Sequence, residues 1–104
     1  MPKNHRIRYL QSALSDLEDI VSYIREQLDA PQVALNLVDR LDKAISRLEC
    51  FPFSGHPYSL NRRLADEHRI LVVDNYLVFY VVYDGVVEIR RVLYGKRKHE
   101  DHLY

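Results

Sequence analysis

Residues 68–94 read HRILVVDNYLVFYVVYDGVVEIRRVLY, and the fold turns on how this stretch divides. Asp74-Asn75 and Asp84-Gly85 cut it into three runs rich in strand-forming residues. Asn, Asp and Gly tolerate the positive φ that two-residue type I′ hairpins demand, so each dipeptide predicts a tight turn. The product is a three-stranded antiparallel meander that ends at Gly95. The middle run is apolar at every position from Tyr76 to Tyr83, which predicts cover on both of its faces. The third run is amphipathic, with Glu88, Arg90 and Arg91 set among apolar residues.

Working toward the N-terminus, the period of the apolar residues changes. PFSGHPYSLNRRLAD, residues 52–66, is punctuated by two prolines and a glycine and reads as loop. Before it, Ala34, Leu37, Leu41, Ile45 and Leu48 form a helical stripe, flanked by Val38 and Ala44. Pro31 suits the first turn of that helix, with Asp29 as its cap and Gln32 three residues on. Pro52 disfavours a helical Phe51, so the helix must end by Cys50. An earlier stripe runs through Leu14, Leu17, Val21, Ile24 and Leu28, with Ser15 and Glu18 as a capping box near its start. Two such helices joined by LDAPQ make an αα-hairpin. HRIRYL, residues 5–10, alternates Ile7 and Tyr9 with Arg6 and Arg8 and reads as a short strand with a basic face. The order βααβββ predicts an α+β fold: one antiparallel sheet with the helix hairpin packed on one face.

The bulk properties bound the function. With 104 residues, 47% hydrophobic and 29% charged, the chain reads as one soluble domain over 1–104. No apolar run approaches the roughly 18 to 20 residues of a membrane span, and MPKNHRIRYLQ holds no apolar signal core. Cys50 is alone, which excludes a disulfide framework and suits the cytoplasm. Formal net charge is zero, but its distribution is uneven. Lys3, Arg6 and Arg8 make the start basic. The helical region holds eight acids against four bases, and residues 90–99 hold five Lys or Arg and no acid. If the two basic ends meet in the sheet, they form one positive face suited to a polyanion.

Motifs for other chemistries are missing. The sequence has no Gly-rich phosphate loop, no nucleophile elbow and no ligand pair at zinc spacing. His99 and His102 lack a third ligand, so neither a metal nor a cofactor is expected. Tyr76, Phe79 and Tyr80 read as sheet packing rather than base-stacking platforms. Arg90 and Arg91 also suit an edge strand guarded against aggregation.

ALSDLEDIVSYI, LECFPFSGHP, HRILVVDNYLVFYVV and VEIRRVLYGKRKHEDHL together resemble the RelE/ParE superfamily, the toxins of type II toxin–antitoxin pairs, also called plasmid stabilisation or addiction-module toxins. The resemblance spans nearly the whole chain, and NYLVFYVV and VLYGKR are its most specific pieces. It implies the βααβββ fold and a cognate antitoxin that holds the toxin in a hetero-oligomer. It also implies one of two activities, which a shared fold cannot separate. RelE-like members cut mRNA on the ribosome without a metal. ParE-like members inhibit DNA gyrase through protein contacts and cut nothing.

Metal-free RNA cleavage needs a base for the 2′-OH, cations for the phosphorane and an acid for the leaving oxygen. Carried over by resemblance, Arg97 matches the family's C-terminal arginine, and Tyr104 lies one residue beyond the catalytic tyrosine's place. His99 is a substitute acid or base, because imidazole titrates near neutrality. His68 and Arg69 fall close to positions where RelE-like enzymes carry lysines. Arg69, Arg90, Arg91, Lys96 and Lys98 are the expected phosphate and RNA contacts. One departure is Leu77, which stands where RelE-like enzymes carry an arginine; many ParE-like members show an apolar residue at this position. The favoured expectation is a ribosome-dependent mRNA endonuclease with Arg97, His99, His68 and Tyr104 as catalytic residues. The alternative is a ParE-like toxin whose partner is gyrase.

Overall fold

The computed structural model describes residues 4–58 and 67–95. The first strand, β1 (Arg6–Tyr9), leads through Leu10 into helix α1 (Gln11–Ser22). Ile7 and Tyr9 pack against the helix-side core, which leaves Arg6 and Arg8 on the opposite face, as the alternation predicts. Helix α1 starts earlier than the expected capping box. Its N-cap is Leu10, in extended conformation and without a side-chain cap bond. Its buried line also differs from the predicted stripe. Ala13 and Ile24 are buried and Leu17, Ile20 and Val21 partly so, while Leu14 and Leu28 are 40% and 55% exposed. The shift at Leu28 has a local cause. The helix widens into a π-helical turn over Tyr23–Gln27, closed by the Leu28 amide donating to the Tyr23 carbonyl at 3.2 Å, and Leu28 rotates off the stripe.

Asp29 then takes a left-handed φ of 51°, a conformation Asp tolerates better than most residues, and turns the chain. Its expected capping role falls to Ala30, again without a side-chain bond, and Pro31 opens helix α2 (Pro31–Ser46) as predicted. Ala34, Leu37, Leu41, Ala44, Ile45 and Leu48 are buried; Val38, which flanks them, is 41% exposed. A 3₁₀ turn over Arg47–Glu49 ends the helix ahead of Pro52.

The meander forms as the turn chemistry predicts: β3 (Glu67–Val73), β4 (Tyr76–Tyr83) and β5 (Val86–Tyr94). Asp84 and Gly85 both have positive φ, as a type I′ turn requires. In the other turn only Asp74 does, so that turn is not type I′. The stretch expected to be all loop contributes a two-residue strand, β2 (His56–Pro57), paired with Ile70 and Arg69 of β3. Pro57 is tolerated there because β2 is an edge.

Among the described residues the sheet has five strands, in the order β1-β5-β4-β3-β2. The α+β class holds, with both helices on one face, but the fully antiparallel sheet does not. β1 runs parallel to β5, with Arg8 opposite Glu88. Two helical passes return the chain to the end of the sheet it left, so β2 runs against β1. Three antiparallel steps later, β5 runs with it. Parity through the crossover therefore makes the sheet mixed.

β4 is buried on both faces. Val78, Tyr80 and Val82 join the helices in the main core, while Leu77 and Phe79 form a second cluster with Ile70, Tyr58 and Leu93. The register slips between Phe79 and Tyr80, whose partners are Arg91 and Ile89. Arg90 is thus the extra residue of a β-bulge. Beyond it Val92 faces the helices, although strict alternation from Ile89 would turn it away.

Candidate functional site: a neutralised cationic face

On the sheet face away from the helices, Glu88 lies at the meeting point of three strands. Valines adjoin it in the sheet: Val81 pairs with it from β4, and Val87 precedes it on β5. The residue is only 5% exposed, in surroundings where an ionised carboxylate is unstable unless paired. Pairing is supplied from every side. From β1, Arg8 Nη2 donates to Oε2 at 2.5 Å, and from β4 the Tyr83 hydroxyl donates to the same oxygen at 2.7 Å. Arg90 Nε, two residues along β5, donates to Oε1 at 3.0 Å. Arg8 also contacts the Tyr83 hydroxyl directly. The Tyr83 bond is the largest influence on the Glu88 carboxyl, and together with the two guanidiniums it prevails over burial and holds the group below the usual carboxylate range.

The basic first strand and the third meander strand therefore do converge in space, as expected. The ground between Arg8 and Arg90 is acidic, however, so they do not make the open positive face that the charge pattern suggests. The other described candidates for phosphate contact, Arg91 and Arg69, are committed as well. Arg91 forks onto Asp16 of α1, with Nε to Oδ2 at 2.7 Å and Nη2 to Oδ1 at 2.9 Å. Asp16 also accepts the Val92 amide at 2.9 Å. Partial burial pushes the Asp16 carboxyl up, but these bonds prevail and hold it below its ordinary range. Arg69 points to the helix side of the sheet, where Nη1 donates to the Phe53 and Gly55 carbonyls at 2.8 and 2.7 Å. Its guanidinium also lies over the Phe53 ring, 5.1 Å from the centroid.

His68 and Arg69 alternate along β3, so the sheet places them on opposite faces. His68 is half-buried and meets Tyr58 edge-on at 6.0 Å. Leu77 is fully buried in the second core cluster. Arg97, His99, Tyr104, Lys96 and Lys98 lie outside the described residues.

Sequence reasoning missed Glu88, Tyr83 and Asp16 as partners of these cations. Glu88 and Arg90 stand two apart on one strand, which signals a shared face. The register that delivers Arg8 and the helix position that delivers Asp16 are tertiary and leave no local mark.

Fold and site together define a class: a small module of a helix pair on a mixed sheet, in which the sheet arginines Arg8, Arg69, Arg90 and Arg91 are bound to the protein's own carboxylates and carbonyls. The chain belongs to the family described as the ParE toxin of type II toxin-antitoxin system, parDE, whose model matches residues 7–99. It is a toxin of a type II pair, and its partner is a cognate antitoxin. Among solved structures it is similar to one described as the chromosomal ParDE TA system from P. aeruginosa. The TM-score is 0.72 at 17% identity, over 90% of this chain and 99% of that one, a likeness of fold. No curated protein matches the chain. Among the described residues no helix is long and apolar enough to cross a membrane.

Proposed function

We propose that this toxin acts as ParE-like members do, arresting growth by binding DNA gyrase through protein contacts rather than by cutting ribosome-bound mRNA. The reading reverses the preference drawn from the sequence. The observation that carries it is the commitment of Arg69, Arg90 and Arg91. A phosphorane needs preorganised cations that are available when charge develops. Here Arg90 and Arg91 are held by Glu88 and Asp16, and Arg69 by two carbonyls. Leu77, buried where RelE-like enzymes carry an arginine, supports the same reading, as does the ParE-type family match.

The antitoxin has a groove available between α2 and β3. It has a volume of about 670 Å³ and is lined by Arg40, Asp42, Lys43 and Ala44 of α2, by Arg47 just beyond it, and by Leu71 and Val72 of β3. Val72 is 40% exposed, and among the described residues the outer edge of β3 over residues 71–73 has no strand partner. An apolar segment with acidic flanks suits this lining and edge. The pairs Arg40–Asp74 and Lys43–Asp39 are exposed and exchange partners at little cost.

The test is purified toxin in a gyrase supercoiling assay beside mRNA 5′-end mapping after induced expression. Loss of supercoiling with intact message is expected. Codon-phased cuts with unaffected gyrase would overturn the reading.

A further inference from the structure

We propose that Glu88 is a specificity-determining residue: a built-in counter-ion occupying the donors of Arg8, Tyr83 and Arg90, so that this sheet face rejects nucleic-acid phosphates. The inference rests on the non-nucleolytic reading above, and its test is independent of gyrase and ribosome.

The geometry is that of an anion site already filled. A guanidinium from β1 and a hydroxyl from β4 converge on one carboxylate oxygen, and a guanidinium from β5 takes the other. Charged donors gathered on a pair of oxygens form the same arrangement that binds a phosphate. The layering matters too. The Arg8 and Arg90 side chains are 56% and 42% exposed, whereas that of Glu88 is 7% exposed. An approaching polyanion thus meets two guanidiniums whose charge is offset from beneath. Arg8, Arg90 and Glu88 sum to one positive charge, and without the carboxylate they would present two.

Relative to an apolar residue, stability gives little reason for a carboxylate here. Val81 faces Glu88 across the strands, and exchanging a buried ion pair for apolar packing is often neutral or stabilising. Specificity gives a better reason, since rejecting a wrong partner requires an element unfavourable to it. A sheet face carrying Arg6, Arg8 and Arg90 would otherwise attract the most abundant polyanion near a ribosome. Arg6 is exposed and has no partner among the described residues, so the contrast with Arg8 lies within one strand.

The experiment measures binding of a labelled short single-stranded RNA to purified toxin by fluorescence anisotropy, over about 50 to 200 mM salt. Glu88→Gln, checked for a cooperative thermal transition, is expected to bind at least about fivefold tighter at the low end. Its log–log salt slope should be steeper by about one phosphate contact. Adding Arg8→Gln to Glu88→Gln should abolish the gain. A folded Glu88→Gln protein with unchanged affinity overturns the proposal, as does a gain that persists without Arg8. Should Glu88→Gln fail to fold, the decision passes to single variants of the natural chain. Arg6→Gln is expected to lose more RNA affinity than Arg8→Gln, and equal losses overturn the proposal. A toxin that cuts mRNA would sink the gyrase reading, whereas this cycle reports on Glu88 alone.

Discussion

Tyr80 shows how one side chain can fix a loop. Its ring is fully buried in the main core. Its hydroxyl donates to the Pro52 carbonyl at 2.8 Å and accepts the Gly55 amide at 3.0 Å. Tyr80→Phe strands both backbone groups in a buried place and is expected to cost about 1–3 kcal/mol, read as a lower urea midpoint at unchanged slope. Gly55 belongs to the same latch. A Cβ there would sit 2.6 Å from the Tyr80 hydroxyl and 2.8 Å from the Ile70 carbonyl oxygen. The backbone atom cannot swing away, so Gly55→Ala should destabilise the protein by at least as much in the same assay. Glu88 makes a prediction about acid. Its folded pKa lies below the unfolded value of about 4.3, so its contribution is intact above that pH. The contribution is lost as pH falls through the depressed folded value. The urea midpoint of the natural chain should therefore fall more steeply below about pH 4.3 than that of Glu88→Gln.

At the scale of elements, α1 does more than cover the sheet. β1 pairs with β5 only as far as Ile89, and the helix then takes over the open edge. The Leu10 amide donates to the Ile89 carbonyl, the Ser12 hydroxyl to the Arg90 carbonyl, and Asp16 accepts the Val92 amide. Asp16→Ala removes that acceptor together with the fork to Arg91. A loss of about 2 kcal/mol is expected, with faster hydrogen exchange at the Val92 amide than at amides on the β3–β4 ladder. These contacts mark the boundary of what the sequence discloses. The meander was legible because Asp74-Asn75 and Asp84-Gly85 are local signals, and helix α2 because its apolar spacing is strict. The two-residue β2 was not, since His56 and Pro57 have no strand character of their own. The exposure of Leu14 and Leu28 was hidden as well, because a π-helical turn changes the phase without a sequence signature. Among site residues, Arg90 and Arg91 were recognised as cations, but their partners come from other elements.

Across the whole molecule, charge is tied down. Asp16 of α1 with Arg91 of β5, and Arg40 of α2 with Asp74 of the β3–β4 turn, bind the helix layer to the sheet. In the lining of the α2–β3 groove Arg40, Lys43 and Arg47 outnumber Asp42, and the exposed pairs of Arg40 and Lys43 can open, which suits an antitoxin segment with acidic flanks. Lys43→Glu combined with Arg47→Glu should weaken antitoxin binding by about tenfold or more in titration calorimetry, since like charges across an interface cost several kcal/mol. Growth inhibition should persist when the antitoxin is co-expressed at a level that protects cells from the natural chain. Full rescue of those cells would place the antitoxin elsewhere.

The parallel pairing of β1 with β5 has a temporal side. Arg8 meets Glu88 only after 80 further positions have been synthesised, and during that interval β1 has no neighbouring strand. Sheets joined across such distances assemble slowly, because loop closure must precede any reward from contact. The edge closed by β1 is therefore expected to form after the β3–β5 meander, whose contacts are local.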